Sequence, residues 1–219
     1  LQVGDDRPLE EERGHQVSAH TTAASLDEAV RRGLSDHESV LAEVLLEAVR
    51  VLQNTDEGVI PRLVEATRQA RHIFVAGKGR SGLVARCFAM RLMHMGLASY
   101  VLDETITPAT QREDLLVVFS ASGETEDACV AAEKGRKLGA KVVAVTTDPE
   151  SRLGNSATMT VVLPAQSKRR SRRDARTAQY AGSAFEQSAL LFSDAVILEA
   201  MREWNITPQE LATRHANLD

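Results

Sequence analysis

The sequence predicts one α/β domain, a five-stranded and mostly parallel sheet flanked by helices on both faces. Between residues 72 and 164 five short apolar runs, HIFVAG, SYVLD, DLLVVFS, KVVAVT and MTVVLP, alternate with helical patterns or loops. The runs are continuous rather than alternating and rich in Val, Ile and Leu, as strands are when helices cover both faces of a parallel sheet. The length, 219 residues, allows one well-buried core and is short for two enzyme-sized domains.

Residues 1–25 are charged and poor in large apolar side chains, too poor to offset the entropy of ordering, and are expected to form a flexible tail. From about Leu34 a long amphipathic helix is expected, with Leu41, Val44, Leu45, Ala48 and Leu52 on its apolar side. Asp56 is a candidate N-cap for a second helix whose stripe is Val59, Ile60, Leu63 and Val64. The first crossover helix is expected from Arg80 to Met95, with Val84, Cys87, Phe88, Leu92 and Met95 recurring at three- and four-residue steps. An almost wholly apolar helix follows from about Ala184 to Trp204. A last short helix starts at Thr207-Pro208.

Composition narrows the function classes. With 26 basic and 31 acidic residues the net charge is -5, which does not favour wholesale binding of nucleic acid. No apolar run reaches the roughly 20 residues of a membrane span. Two cysteines without a C-x-x-C pair or secretory prefix suggest a reducing, cytoplasmic location. The histidines show no metal-ligand spacing, so no metal site is expected.

Two strand-to-helix loops carry the chemistry. Ligands of doubly wound sheets sit beyond the carboxyl ends of the strands, where helix N-termini present free N-H groups. The first loop, Gly77-Lys78-Gly79-Arg80-Ser81-Gly82, matches G-x-G-x-x-G, and Asp103 follows about where a dinucleotide fold holds a ribose. The same glycines also serve any strand that turns tightly into a helix. The second loop, Ser120-Ala121-Ser122-Gly123-Glu124-Thr125, offers hydroxyls spaced to curl around one anion. Ser122 is placed to cap the helix, with Ser120 and Thr125 reaching inward. A dinucleotide site does not require this second cluster, so the pair of loops favours a small phosphorylated ligand; simple helix capping is the alternative for Ser122 and Thr125.

GKGRSG after one strand and SASGET after another resemble the sugar isomerase, or SIS, domain. FAMRLMHMG at 88–96, ETITPA at 104–109, Phe185-Glu186 and RHANL at 214–218 narrow the resemblance to the 6-phospho-3-hexuloisomerases. The resemblance implies an SIS phosphosugar-isomerase domain over residues 26–219. The implied reaction turns D-arabino-hex-3-ulose 6-phosphate into fructose 6-phosphate without a cofactor, as in the ribulose monophosphate pathway. It also implies a homotetramer with shared active sites. By position, Ser81, Ser120, Ser122 and Thr125 would hold the phosphate, Arg80 would lie beside the substrate and Glu186 would be the base. The chemistry suits a carboxylate: moving a carbonyl from C3 to C2 removes a proton at C2 and returns one at C3 through an enediol. His215 suits a proton shuttle, its ordinary pKa lying near neutrality.

Rival readings stand beside these. Ser183 to Glu186 also spells a capping box, as does Thr207 to Glu210, and His215 is also suited to a helix C-terminus. His94, between two methionines, reads as structural. Lys78 either adds charge to the phosphate site or points to solvent. The basic stretch 167–176 reads as a solvated loop, a cationic lid or, least of all, a nucleic-acid patch. Other functions for the same fold are aldose-ketose isomerisation of another sugar phosphate, or a non-catalytic sugar-phosphate sensor. Such sensors carry a separate DNA-binding module, and the N-terminal segment shows no helix-turn-helix pattern.

Overall fold

The computed structural model describes residues 40–166, 177–180 and 182–218. The tail at 1–25, the helix start near Leu34 and the basic stretch 167–176 lie outside the described residues. In chain order the elements are α1 (Val40–Gln53), α2 (Val59–Gln69), β1 (Ile73–Gly77), α3 (Gly79–His94), β2 (Ser99–Val101) and β3 (Leu115–Phe119), then α4 (Glu126–Lys137), β4 (Lys141–Thr146), α5 (Arg152–Ser156), β5 (Met159–Val162), α6 (Ser183–Glu203) and α7 (Pro208–Ala212). The five strands form one sheet in the order β2-β1-β3-β4-β5. Every pairing is parallel, so the sheet is wholly rather than mostly parallel.

Successive strand residues point to opposite sheet faces, and here both faces are buried. Ile73, Val75, Leu115, Val117 and Phe119 pack with Leu63 and Val64 of α2, Phe88 and Leu92 of α3, and Phe185 and Phe192 of α6. The alternate residues Phe74, Leu116, Val118, Val142 and Ala144 pack under Cys129 and Ala132 of α4 and Leu153 of α5. That is why the strands read as continuous apolar runs.

Three local expectations are corrected. The buried side of α1 is Leu46, Glu47, Ala48 and Val51, whereas Leu41 and Leu45 are exposed. The helix is turned toward Glu47, which accepts hydrogen bonds from Thr177 Oγ1 and the Ala178 backbone N, each at 2.7 Å. Asp56 does not cap α2: its carboxylate accepts from the Gly58 N-H at 2.9 Å, forming a turn ahead of the helix, and Gly58 holds the N-cap position. In α3, Cys87 is exposed, and Ala85 and Ala89 fill the buried stripe beside Phe88.

At the amino end of the sheet Asp114 ties β1 to β3. Its carboxylate takes both Arg71 Nε and Nη2 at 3.2 and 3.1 Å, the His72 N-H at 3.2 Å and the Gln111 N-H at 2.6 Å. Burial pushes this carboxyl up, but the Arg71 and Gln111 donors outweigh it and hold it below the usual carboxylate range. The strand order reverses between β1 and β3, so the loops that leave these two neighbours open side by side at the carboxyl edge, with Gly77 paired to Phe119.

Candidate active site

The first loop turns sharply because two glycines touch. A Cβ on Gly82 would lie 2.7 Å from the Gly77 carbonyl oxygen, and one on Gly77 would lie 2.9 Å from that of Ser81. Only bare backbone lets α3 begin so close to β1. Ser81 is thereby buried at the floor of a cleft and Arg80 stands at its rim.

The second loop is held from behind. Leu153 N donates to the Gly123 carbonyl at 2.9 Å, and Thr147 Oγ1 to that of Ala121 at 2.8 Å. The Arg152 guanidinium reaches Glu133 at 2.7 Å and Glu126 at 2.6 Å, and these two carboxylates raise its pKa. In front, Ser120 Oγ and Thr125 Oγ1 share a hydrogen bond at 3.1 Å. Thr125 occupies the N-cap position of α4 without a side-chain cap bond, so its hydroxyl serves the cleft side rather than the helix. Ser122 does not cap α4 either. Its Oγ accepts from the Glu124 N-H at 3.2 Å, a tight turn that leaves the first-turn N-H groups of α4 unclaimed by any side-chain cap.

Across from these hydroxyls stands Glu186, in the first turn of α6. Its carboxylate is 3.4 Å from Arg80 Nη1 and largely buried, and Arg80 Nη1 also donates to Ser183 Oγ at 3.1 Å. The capping-box alternative for Ser183 and Glu186 fails: the N-cap is Gly182, Ser183 is already helical, and no side-chain cap bond forms there. The real capping box is Thr207 with Glu210. A cleft of about 220 Å³ therefore brings together Arg80, Ser81, Ser120, Ser122, Thr125 and Glu186.

His215 is not among them. Its ring stacks on His94 with centroids 5.0 Å apart, at the C-terminal end of α3. Sixteen helical residues separate that end from the cleft, roughly 22 Å at the α-helical rise. Burial, then His215 and Arg91, lower the pKa of His94 and favour its neutral ring.

Lys78, for which the sequence allows either role, lines the edge of the cleft with a half-exposed side chain. Its ammonium lies 2.8 Å from Asp103 and 3.3 Å from Asp127, which raise its pKa, so it ties the first loop to the end of β2 and to the first turn of α4. Asp103 pays the conformational cost of a left-handed backbone, φ 77°. No sequence pattern announced this pairing, nor Ser183 as a partner of Arg80, because the partners lie 25 and 103 residues apart.

The SIS domain pattern matches residues 67–185, spanning both loops and reaching the start of α6. The chain belongs to the SIS domain family. Within this SIS family it is 38% identical over 179 residues to the 3-hexulose-6-phosphate isomerase of Bacillus subtilis (strain 168), covering 82% of this chain and 97% of that one. It is 40% identical over 199 residues to the enzyme of the same name from Mycobacterium gastri, covering 91% and 100%. A solved structure from Methanococcus jannaschii, for which a molecular function of 3-hexulose-6-phosphate isomerase was inferred, superposes with a TM-score of 0.71. It shares 33% identity and covers 82% of this chain and 98% of the other. This SIS chain is accordingly an isomerase.

A second cavity, about 730 Å³, lies between α3 and α4 over β1 and β2 and shares Lys78 and Gly79 with the cleft. It is larger, but neither the hydroxyl cluster nor Glu186 lines it. Here a dinucleotide would need the Asp103 carboxylate for its ribose, and Lys78 already occupies that carboxylate. Calorimetric titration is expected to show no specific NAD or NADP binding at sub-millimolar concentration; tight binding lost on Gly79 substitution would contradict this. Among the described residues no helix is long and apolar enough to cross a membrane, and no three His, Cys, Asp or Glu side chains cluster to hold a metal ion.

Proposed function

We propose that the chain converts D-arabino-hex-3-ulose 6-phosphate to fructose 6-phosphate, with Glu186 moving the proton. The observation that carries this reading is a single-phosphate cradle and one largely buried carboxylate facing each other across a cleft the size of one small molecule. A phosphate set among Ser81, Ser120, Ser122 and Thr125 meets hydroxyl donors and the positive ends of α3 and α4, with Arg80 the nearby cation. Anchoring one end of an extended sugar fixes the height of its carbonyl carbons against Glu186, which is the positioning contribution to rate. Glu186 takes the C2 proton and the C3 oxygen gains a proton as the enediol forms; return of a proton to C3 with loss of the C2 hydroxyl proton leaves the carbonyl at C2. Atoms and electrons balance within the sugar, so the reaction calls for no redox cofactor. The names of the relatives agree with this substrate.

His215, far from its own cleft, serves catalysis in this reading only from a neighbouring copy. A tetramer with shared sites fits the exposed apolar residues Leu83 and Met90 of α3 and Leu191 and Leu198 of α6. The activity is tested by incubating the purified chain with hex-3-ulose 6-phosphate and, separately, with aldose and pentulose phosphates, following products by NMR. Fructose 6-phosphate from the first alone is expected. Turnover of an aldose phosphate instead would replace the assignment.

The cradle makes a separable prediction. Ser120→Ala removes a hydroxyl that no helix uses as a cap, so phosphosugar binding should weaken by roughly 0.5–3 kcal/mol with little change in melting temperature. Lost stability with unchanged affinity would return Ser120 to a purely structural role.

A further inference from the structure

Glu47 lies on α1, far in sequence from the cleft, yet it is buried at 8% exposure. Burying a carboxylate is unfavourable unless fixed donors surround it. Among the described residues its donors come from one short irregular segment: Thr177 Oγ1 at 2.7 Å, the Ala178 N-H at 2.7 Å and Gln179 Nε2 at 2.9 Å. The side-chain amide oxygen of Gln179, Oε1, then accepts from Gln187 Nε2 at 2.8 Å, and Gln187 is the residue after Glu186. The turn that carries Glu186 has no side-chain cap of its own, and Ser183 N donates back to the Tyr180 carbonyl at 3.0 Å. The entry of α6 is therefore placed by the segment that Glu47 holds.

We infer that Glu47 is a positioning residue for the base: through Thr177, Ala178 and Gln179 it sets where the first turn of α6 presents Glu186 to the sugar. The inference rests on Glu186 being the base. Removing the anchor leaves the phosphate cradle untouched, since Ser120, Ser122 and Thr125 belong to the β3–α4 loop. Turnover should change and binding should not.

The test compares Glu47→Gln, Thr177→Val and Glu186→Gln with the unaltered chain, using hex-3-ulose 6-phosphate. In Glu47→Gln an amide NH2 replaces one acceptor oxygen and faces a donor. The expected result is kcat down roughly 10- to 100-fold with KM nearly unchanged, the size of loss that small misplacement of a reacting group produces. The limb of the kcat–pH profile that belongs to the base should shift as well. Thr177→Val, a milder change that keeps two of the three donors, should move both readouts in the same direction by less. Lower melting temperature with unchanged kcat and pH profile in both variants would overturn the inference. Loss of turnover in Glu186→Gln alone would sink it while sparing the base assignment; full turnover in Glu186→Gln would remove the base and this inference together.

Discussion

Glu186→Gln should leave a folded protein that binds its phosphosugar and turns it over at least about 100-fold more slowly, the lower end of what a positioned general base contributes. The structure separates the two effects. Gln keeps the length of the side chain and an oxygen near Arg80 Nη1, and the helix start does not depend on residue 186 as a cap. What is lost is the ability to take a proton. Steady-state kinetics with thermal melting reads both, and near-normal turnover would mean that another group moves the proton.

Gly123→Ala should have the largest effect on the fold around the site. Gly123 adopts φ +63°, and a Cβ there would lie 1.9 Å from Ser151 Oγ and 2.4 Å from Ser151 Cβ. The left-handed backbone costs an alanine roughly 1–2 kcal/mol, and overpacking a tight contact adds roughly 1–3 kcal/mol. A loss of about 2–5 kcal/mol lowers the melting temperature on the order of 10 °C for a chain of this size. Affinity should fall too, because Ser120, Ser122 and Thr125 share the distorted loop. Adding Ser151→Gly should recover the overlap part of the loss and leave the left-handed part. A double variant no more stable than Gly123→Ala would show that the collision with Ser151 is not the cause.

Much of this site was legible because it is local. A strand end, its loop and the first turn of the next helix are contiguous, so Ser120, Ser122 and Thr125 could be read from one hexapeptide, while Arg80 and Ser81 of the other were pointed to by the family resemblance. That the two loops adjoin follows from the strand order, which alternating strands and crossovers suggest but do not spell out. Contacts between distant segments were hidden. Arg80 beside Glu186, Lys78 between Asp103 and Asp127, and Glu47 under Thr177 each join residues with no shared pattern. The same limit explains the rotated face of α1. Apolar periodicity pointed to Leu41 and Leu45, but burial followed a carboxylate whose donors lie some 130 residues on. The short helix α5 also escaped notice, since five residues opened by a Ser151 cap carry no periodicity to read.

The central claim is that one phosphosugar lies with its phosphate among the hydroxyls and its C2–C3 bond at Glu186. A crystal structure of Glu186→Gln with fructose 6-phosphate tests it most directly. The phosphate oxygens are expected within about 2.5–3.2 Å of Ser120, Ser122 and Thr125 donors, with C2 and C3 roughly 3–3.5 Å from the side chain of residue 186. A phosphate bound instead in the larger cavity beside Asp103, or sugar carbons turned away from residue 186, would contradict it.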